Sequence, residues 1–304
     1  MSRETFHFRV GDFECTAVRD ATEITPWKNI IVGVEDPGVA KTLREHGLPA
    51  TEIPWDFSCL FARSGSDLIV IDTGWGCCTE RLQGKFLGNL RAEGVSLSDV
   101  SLVIITHHDR DHLAGIVAAD GTLAFPNARH VMTQEGWAWY TSEKNLAALP
   151  EPQAAFHRRA RALLEDRVTL VSGETDVAPG VRILPAPGHR PGHVAVELSS
   201  KGQRFLHLAD AIPLPIFIDH PEWRAAFDSA QDEAWATRQR LLDLAEAGNA
   251  LVFLSHFPFP GLGYITREKG TRRWRPIPLR PRSATQCHDG ICYPTELSNL
   301  EEEL

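Results

Sequence analysis

The sequence lacks several features that mark whole classes of protein. None of its apolar runs approaches the roughly 18 residues that a membrane-spanning helix needs. The opening MSRETFHFRV has neither the basic start nor the apolar stretch of a signal peptide. Positive charge is scarce, because 31 lysines and arginines stand against 40 acidic residues, for a net charge of −9. We therefore expect a cytoplasmic protein that binds neither membranes nor nucleic acid, since nucleic-acid surfaces are basic.

Cysteine is also sparse, with six among 304 residues. That number is too small for a disulfide scaffold, and without an export signal reduced thiols are expected. Adjacent Cys77 and Cys78 are predicted to be small buried thiols, and the CHDGIC segment that begins at Cys287 and ends at Cys292 to belong to a packed tail. Hydrophobic content of 43% and charged content of 23% are typical of a globular protein with ample length for a core.

Strand and helix signals alternate along the chain, which indicates an α/β (α+β) fold. Hairpins are predicted at Gly11-Asp12 and at residues 64–66, and a helix over residues 78–94. A similar order of strands and then helices begins again at Val168. We expect one domain over residues 1–280, made of two similar halves, with a separate tail. The predicted ranges are 1–165 and 166–280 for the halves, 281–304 for the tail, and 22–57 and 260–304 for irregular extensions.

The segment SLVIITHHDRDHLAG concentrates histidines and acids directly after an apolar run. The run LVIIT is typical of a strand buried on both faces. Residues two apart in an extended segment point the same way, so His107, Asp109 and Asp111 are expected to converge, with His112 turned toward a neighbouring point. Adjacent His108 is expected to face the opposite side. Divalent cations would neutralise the acids and take up the imidazole nitrogens, so the segment predicts a metal site.

Three other segments place a metal-binding residue type at the end of an apolar strand. His189 follows a strand in LPAPGHRPGH, Asp210 ends one in FLHLADAIP, and His256 ends one in LVFLSHFPFPG. A lone histidine at a strand end is usually structural. Four such places in one chain, all in an alternating strand-helix context, instead favour one shared metal centre.

These segments, together with LIVIDTG, resemble the metallo-β-lactamase superfamily in order and spacing. The resemblance covers roughly residues 9–270. It implies a four-layer αββα sandwich with a metal site at the rim of two sheets. The segments FPNARHVMTQEGWAWY and HFPFPGLGYI are most similar to the branch of methyl parathion hydrolases and quorum-quenching lactonases.

The resemblance also implies roles for individual residues. Asp72 matches an acid that organises the loops under the site, and Asp111 is both a ligand and the residue that orients the nucleophile and passes a proton to the leaving group. His193 is expected to face the substrate or to support a ligand from behind. The expected ligands are His107, Asp109 and His189 for the first ion, Asp111, His112 and His256 for the second, and Asp210 for both.

One position departs from the superfamily pattern. The usual order is His-x-His-x-Asp-His, whereas this chain has an acid, Asp109, at the second histidine. Two divalent ions carry four positive charges and the three carboxylates carry three negative ones, which leaves a net charge of +1 instead of +2. Less positive charge predicts a less acidic bridging water and a harder first site.

These features predict a metal-dependent hydrolase that uses two divalent ions, zinc first and manganese or iron as alternatives. Its hydroxide nucleophile would attack a lactone, ester or phosphotriester, so the expected partner is a small molecule. A homodimer is expected from the lactonase-like branch. Two alternatives stay open. His107, His189 and one carboxylate match the ligand set of a mononuclear iron dioxygenase, although the second set with His256 would then be superfluous. The other alternative is a non-catalytic metal-binding or degenerate member that acts through partners, against which the intact ligand set argues.

Overall fold

The structure, a computed structural model, describes residues 4–76, 82–278, 286–288 and 291–293. Cys77 and Cys78 lie outside the described residues, and so do the side chains of Cys287 and Cys292 and most of the predicted tail. The predictions made for these cysteines and for the boundary of the tail therefore stay predictions.

Strands supply most of the framework. In chain order they are β1 (Thr5–Val10), β2 (Phe13–Pro26), β3 (Ile31–Val32), β4 (Glu52–Ser64), β5 (Asp67–Ile71), β6 (Leu102–Ile104), β7 (Arg129–Thr133), β8 (Val168–Val171), β9 (Thr175–Ala178), β10 (Val181–Pro185), β11 (Val194–Ser200), β12 (Gln203–His207), β13 (Arg224–Ala225), β14 (Leu251–Phe253), β15 (Leu262–Glu268), β16 (Thr271–Pro276), β17 (Gln286–His288) and β18 (Ile291–Tyr293).

Helices connect the strands. They are α1 (Asp36–Glu45), α2 (Phe86–Ala92), α3 (Arg110–Leu113), α4 (Gln134–Thr141), α5 (Glu143–Leu146), α6 (Glu151–Leu164), α7 (Ile216–Asp219) and α8 (Gln231–Ala247). Short 3₁₀ turns lie at Trp27–Asn29, Leu97–Asp99, Ala114–Ile116 and Ala209–Ala211. No helix in the described part of the chain combines the length and the hydropathy that crossing a bilayer requires.

Two large mixed sheets are built from successive parts of the chain. The first has the order β1-β2-β4-β5-β6-β7-β8, and the second has the order β16-β15-β14-β12-β11-β10-β9. Strands β5 to β8 run parallel to one another, and β12 runs parallel to β14. Because carboxyl ends of parallel strands meet at one edge of a sheet, the loops after these strands are gathered together.

Alternating side chains explain why the sheets stack. In β6, Leu102 and Ile104 face a core shared with second-sheet residues such as Phe205, whereas Val103 and the following Ile105 face the helices on the other side. All four are buried, as predicted for a strand covered on both faces. The outer face of the second sheet packs against α8 in the same way. The four-layer αββα sandwich predicted from the sequence is confirmed.

The described parts of two predicted irregular regions belong to the framework. Within residues 22–57, the second half of β2 pairs with the first half of β4 as far as Pro26 and Glu52, and α1 packs beside this arm. The prediction was wrong there because the prolines lie near the end of the pairing, where they do not interrupt it. Residues 262–276 form the hairpin of β15 and β16, which extends the second sheet.

The predicted hairpins at Gly11-Asp12 and at residues 64–66 are present. The helix predicted over residues 78–94 is shorter in the described part of the chain, because α2 begins at Phe86. Its end just before Gly94 is as predicted, and Gly94 has the positive φ of 79° expected after a helix.

Candidate metal centre

The predicted ligands come from both sheets and lie at the ends of strands. His107 follows β6, and Asp109 to His112 form the loop after it and the start of α3. His189 follows β10, Asp210 follows β12, and His256 follows β14. The backbone N–H of Val194, at the start of β11, donates to the carbonyl of Thr106 at 3.1 Å, which links the two sheets under these loops.

These residues form three overlapping clusters that have the geometry of metal ligands. Within each cluster, one ligand atom per residue lies within 4.8 Å of the others. The clusters are His107–Asp109–His189, His107–His112–Asp210 and Asp111–His112–His256. The structure therefore brings together all seven predicted ligands, in the two groups that the resemblance implies. The convergence of Asp111 with His107 and Asp109 that strand alternation predicted is wrong, because Asp111 lies in the first turn of α3 and groups with His112 and His256.

Asp210 lies between the two groups and faces one with each carboxylate oxygen. Its Oδ1 lies 3.2 Å from Nε2 of His112 and 3.0 Å from Nε2 of His256. Its Oδ2 lies 3.9 Å from Nε2 of His107 and 3.4 Å from Nε2 of His189. A carboxylate in this position can contribute one oxygen to each of two ions.

Each histidine of the centre is held by its other ring nitrogen, Nδ1. Nδ1 lies 3.0 Å from Thr106 Oγ1 in His107, 2.7 Å from Asp72 Oδ2 in His112, 3.2 Å from Asp228 Oδ1 in His189 and 3.0 Å from the Asp56 carbonyl in His256. A bond at Nδ1 fixes the ring and leaves Nε2 unprotonated for a cation. This pattern is what metal-binding histidines require.

Three of the Nε2 atoms are buried without a hydrogen bond. Among the described residues, Nε2 of His107, His112 and His189 has no hydrogen-bond partner, although all three side chains are almost inaccessible to solvent. A buried polar atom without a partner costs free energy, and divalent ions at the two groups would satisfy all three. The donor set of four imidazoles and three carboxylates fits two divalent ions such as zinc, manganese or iron.

The pKa values show the strength of the local field. Burial and the neighbouring His112 lower the pKa of His107 well below its usual value. Burial also opposes protonation of His112, but the carboxylates, Asp210 foremost, outweigh it and raise the pKa of His112. The pKa of Asp210 falls well below its usual value despite burial, because cationic forms of His256 and His112 favour its ionised form. The concentrated carboxylates therefore favour positive charge at the metal centre.

Asp72 and His193 lie behind the ligands and do not join any of the three clusters. Asp72 accepts hydrogen bonds from Thr106 N–H and Oγ1–H, each at 2.8 Å, and from His112. His193 lies with Nδ1 2.9 Å from the Ala186 carbonyl, and its Nε2 accepts the backbone N–H of Asp210 at 3.2 Å. Of the two roles predicted for His193, the geometry supports the one behind a ligand.

His108 has the orientation expected from the alternation of an extended segment. Its ring stacks on Trp139 with centroids 4.1 Å apart, and it belongs to none of the three clusters. Burial lowers the pKa of His108 to about 3, so it is a neutral core residue.

Two residues that sequence reasoning missed hold the first group in place. Asp228 supports His189, and Arg190 binds the Asp109 carboxylate through two nitrogens. Arg190 is adjacent to a predicted ligand, which is the signal that could have drawn attention to it. Asp228 lies 39 positions from His189 in the sequence, and no local pattern marks it.

A cavity of about 370 Å³ opens onto the centre. Asp109, Asp111, His189, Asp210 and His256 lie at its base. Its apolar lining residues are Ile30, Trp55, Phe57, Trp75 and Phe227, and Glu23, Thr25 and Asn29 add polar groups. The Trp55 ring stacks on His256 with centroids 4.7 Å apart, so the wall and the centre are in direct contact.

The segment from Pro213 to Trp223, which follows Asp210 closely in the chain, does not contribute to the cavity lining. Leu214, Ile216 and Phe217 are fully buried in the core beneath the arm of β2 and β4. The apolar residues that follow Asp210 therefore support the fold, and residues of the arm take their place in the cavity.

The sequence profile described as the metallo-beta-lactamase superfamily matches residues 55–256, two thirds of the chain. The chain belongs to this superfamily. A probable metallo-hydrolase of Mycobacterium bovis is 27% identical over 183 residues, which are 50% of this chain and 55% of that protein. A protein of Mycobacterium tuberculosis with the same description gives the same values. The chain thus spans about half the length of the curated relatives it matches.

Solved structures of the superfamily share the fold. The dizinc quorum-quenching lactonase AidC superposes with a TM-score of 0.81 at 23% identity, over 90% of this chain and 97% of that one. The hydrolase AbOPH gives the same score and identity, over 92% and 99% of the two chains. At this identity the likeness establishes the superfamily architecture, as the sequence motifs predicted.

Proposed function

We propose that this superfamily member is a metal-dependent hydrolase of a small lactone, ester or phosphotriester, with two divalent ions, zinc foremost. The observation that carries the proposal is Asp210, whose two oxygens face two separate pairs of imidazole Nε2 atoms. A single ion would leave one of these pairs without a cation. The description of the curated relatives as probable metallo-hydrolases supports the same reaction class.

The ligand roles follow from the clusters. His107, Asp109 and His189 would hold the first ion and Asp111, His112 and His256 the second, with Asp210 contributing to both. When bound, the two ions would activate a water molecule and polarise a substrate oxygen. Asp111, which lines the cavity, would orient that water, take up its proton and pass the proton to the leaving oxygen.

The cavity favours a small substrate with an apolar part. Its volume lies in the range of small-molecule sites. The rings of Trp55, Phe57 and Phe227 exclude water from the centre and contact the apolar part of the substrate. Glu23 places a further acid on the lining, which favours neutral substrates such as lactones and triesters over anionic ones.

Elemental analysis combined with substrate assays tests the proposal. Purified protein should carry two divalent ions per chain and hydrolyse at least one of a lactone, an aryl ester and a phosphotriester. His256→Ala should remove the second ion and the activity. His46→Ala is the matched control, because His46 also pairs with an acid, Asp219 at 3.0 Å, but lies outside the centre.

The same measurements separate the alternatives. One iron per chain, with oxygen consumption in place of hydrolysis, would indicate the mononuclear dioxygenase. Two tightly bound ions without hydrolysis of any of the three substrate classes would contradict the proposed reaction.

A further inference from the structure

Arg190 binds the one ligand that departs from the superfamily pattern. Its Nε donates to Asp109 Oδ1 at 2.9 Å, and its Nη2 lies 2.8 Å from Asp109 Oδ2. Two parallel bonds between a guanidinium and a carboxylate fix the position of both groups.

The other side of the guanidinium is held by the backbone. Nη1 of Arg190 donates to the carbonyl of His189 at 3.1 Å and to the carbonyl of Phe227, and it lies 3.4 Å from Ser229 Oγ. Arg190 is therefore bonded to the loop of residues 227–229, which also contains Asp228, the partner of His189. Its position is determined by the fold and by Asp109 together.

Of the two Asp109 oxygens that Arg190 binds, Oδ2 also faces the metal centre. Oδ2 of Asp109 lies 3.8 Å from Nε2 of His107 and 3.5 Å from Nε2 of His189. Arg190 thus supplies a positive charge directly behind a ligand atom of the first ion. The charge count made from the sequence left the centre at +1, and this charge returns it to +2.

We propose that Arg190 compensates the charge of Asp109, so that the two residues act together as a neutral ligand of the first ion. This inference rests on the two-ion centre of the proposed function. It has one consequence that a purely structural role lacks, because the effect of a substitution at position 109 on metal binding then depends on whether Arg190 is present. A neutral side chain at position 109 leaves Arg190 as an unpaired cation beside the first ion, and like charges repel.

Metal binding by a double-mutant cycle tests the coupling. The proteins are wild type, Asp109→His, Arg190→Gln and the double variant, freed of metal with a chelator and titrated with zinc against a chromophoric competitor. We expect Asp109→His to weaken the first ion by about 100-fold or more while it keeps the second, at the upper end of changes caused by groups behind a ligand. Adding Arg190→Gln to it should strengthen the first ion by at least about tenfold. In the Asp109 protein the same change should give no such gain, because it also removes the two bonds that hold the Asp109 carboxylate in position as a ligand.

Two further variants guard the interpretation. Asp109→Asn, close in shape to aspartate, repeats the cycle if the histidine variant does not fold. Arg204→Gln is the matched control, because Arg204 pairs with Glu197 at 2.6 Å at the start of β12, away from the centre. It should leave zinc affinity unchanged.

The outcomes distinguish this inference from the proposed function. If wild type binds two ions and Arg190→Gln has the same effect in both backgrounds, Arg190 is structural only and the inference is wrong. If wild type binds no divalent ion, the proposed function fails and the inference fails with it. Melting temperatures of the metal-free proteins measure the structural effect of each variant. If Arg190 acts by charge compensation, the differences in zinc affinity should not follow the differences in melting temperature.

Discussion

Asp228 supports His189 from behind, with its Oδ1 lying 3.2 Å from Nδ1 of the imidazole. Its second oxygen lies 3.3 Å from Nη2 of Arg238, whose side chain is 1% exposed to solvent. Asp228 therefore connects a predicted metal ligand to a buried cation on α8. The orientation of His189 and the stability of the second half of the chain depend on the same carboxylate.

Asp228→Asn should weaken binding of the first ion by about 10- to 100-fold, the effect typical of losing a carboxylate behind a metal-binding histidine. It should also lower the free energy of unfolding by about 3–5 kcal/mol, because Arg238 loses its charged partner in a buried place. Zinc titration and urea unfolding measure the two effects.

Arg238→Met is the control for this variant. It should lower stability without a selective loss of the first ion, since Asp228 keeps its bond to His189. Unchanged zinc affinity in Asp228→Asn would show that His189 is oriented by other contacts.

Asp210→Ala should be the most damaging change of a single ligand. It removes the one carboxylate that faces both pairs of imidazoles, so two cations in the centre would repel each other without an anion between them. Elemental analysis after desalting should show a fall from about two ions per chain to one or none. Asp176→Ala, which removes an exposed carboxylate on β9, should retain both ions. Retention of both ions by Asp210→Ala would rule out the bridging position.

Asp72→Ala should lower the stability of the metal-free protein. Asp72 is 1% exposed and accepts bonds from Thr106 and His112, which would lose their partner at a cost of about 1–3 kcal/mol each. Because Thr106 in turn contacts Nδ1 of His107, both ions should also bind less tightly. A ligand variant should instead weaken mainly one of the two ions. Urea unfolding with a chelator present measures the first effect. An unchanged unfolding free energy with lost metal would make Asp72 a ligand.

Sequence reasoning found the residues whose roles depend on local order. Residues 107 and 109 lie in one extended segment and converge as its alternation predicts. Asp111 lies in the first turn of α3 and faces the other group with His112, so its direction was wrong by alternation and right only by the resemblance. The burial of the strand before His107 could also be predicted, because Leu102 to Ile105 have only apolar side chains.

The parts that sequence reasoning missed depend on contacts distant in the chain. Asp228 supports His189 from another loop, and Trp55 stacks on His256 from the arm of β2 and β4. Neither contact has a local sequence pattern, since each joins residues that are far apart in the chain and meet only in the folded protein.

Asp20, which is not one of the predicted ligands, predicts a pH dependence of stability. Its carboxylate is fully buried on β2 and accepts the backbone N–H groups of Trp75 at 2.7 Å and Phe86 at 2.9 Å. Burial raises the pKa of Asp20 from 3.8 to about 6, because the backbone hydrogen bonds offset only part of the lost hydration, and the nearby Asp111 carboxylate raises it further. Asp20 thus holds both ends of the segment between the cavity residue Trp75 and α2.

The sign follows from proton binding. Between about pH 4 and 6 the folded protein keeps a proton on Asp20 that the unfolded chain has released, so lower pH favours folding at this group. Its contribution is complete below the unfolded pKa and is lost as pH rises through the folded pKa. Asp20→Asn cannot titrate, so the unfolding free energy of wild type relative to this variant should increase by about 2–3 kcal/mol from pH 7.5 to pH 4. Urea unfolding of the metal-free proteins across this range measures it, with Asp176→Asn as an exposed control. A difference that does not change with pH would show that Asp20 is ionised throughout and that its bonds to Trp75 and Phe86 outweigh its burial.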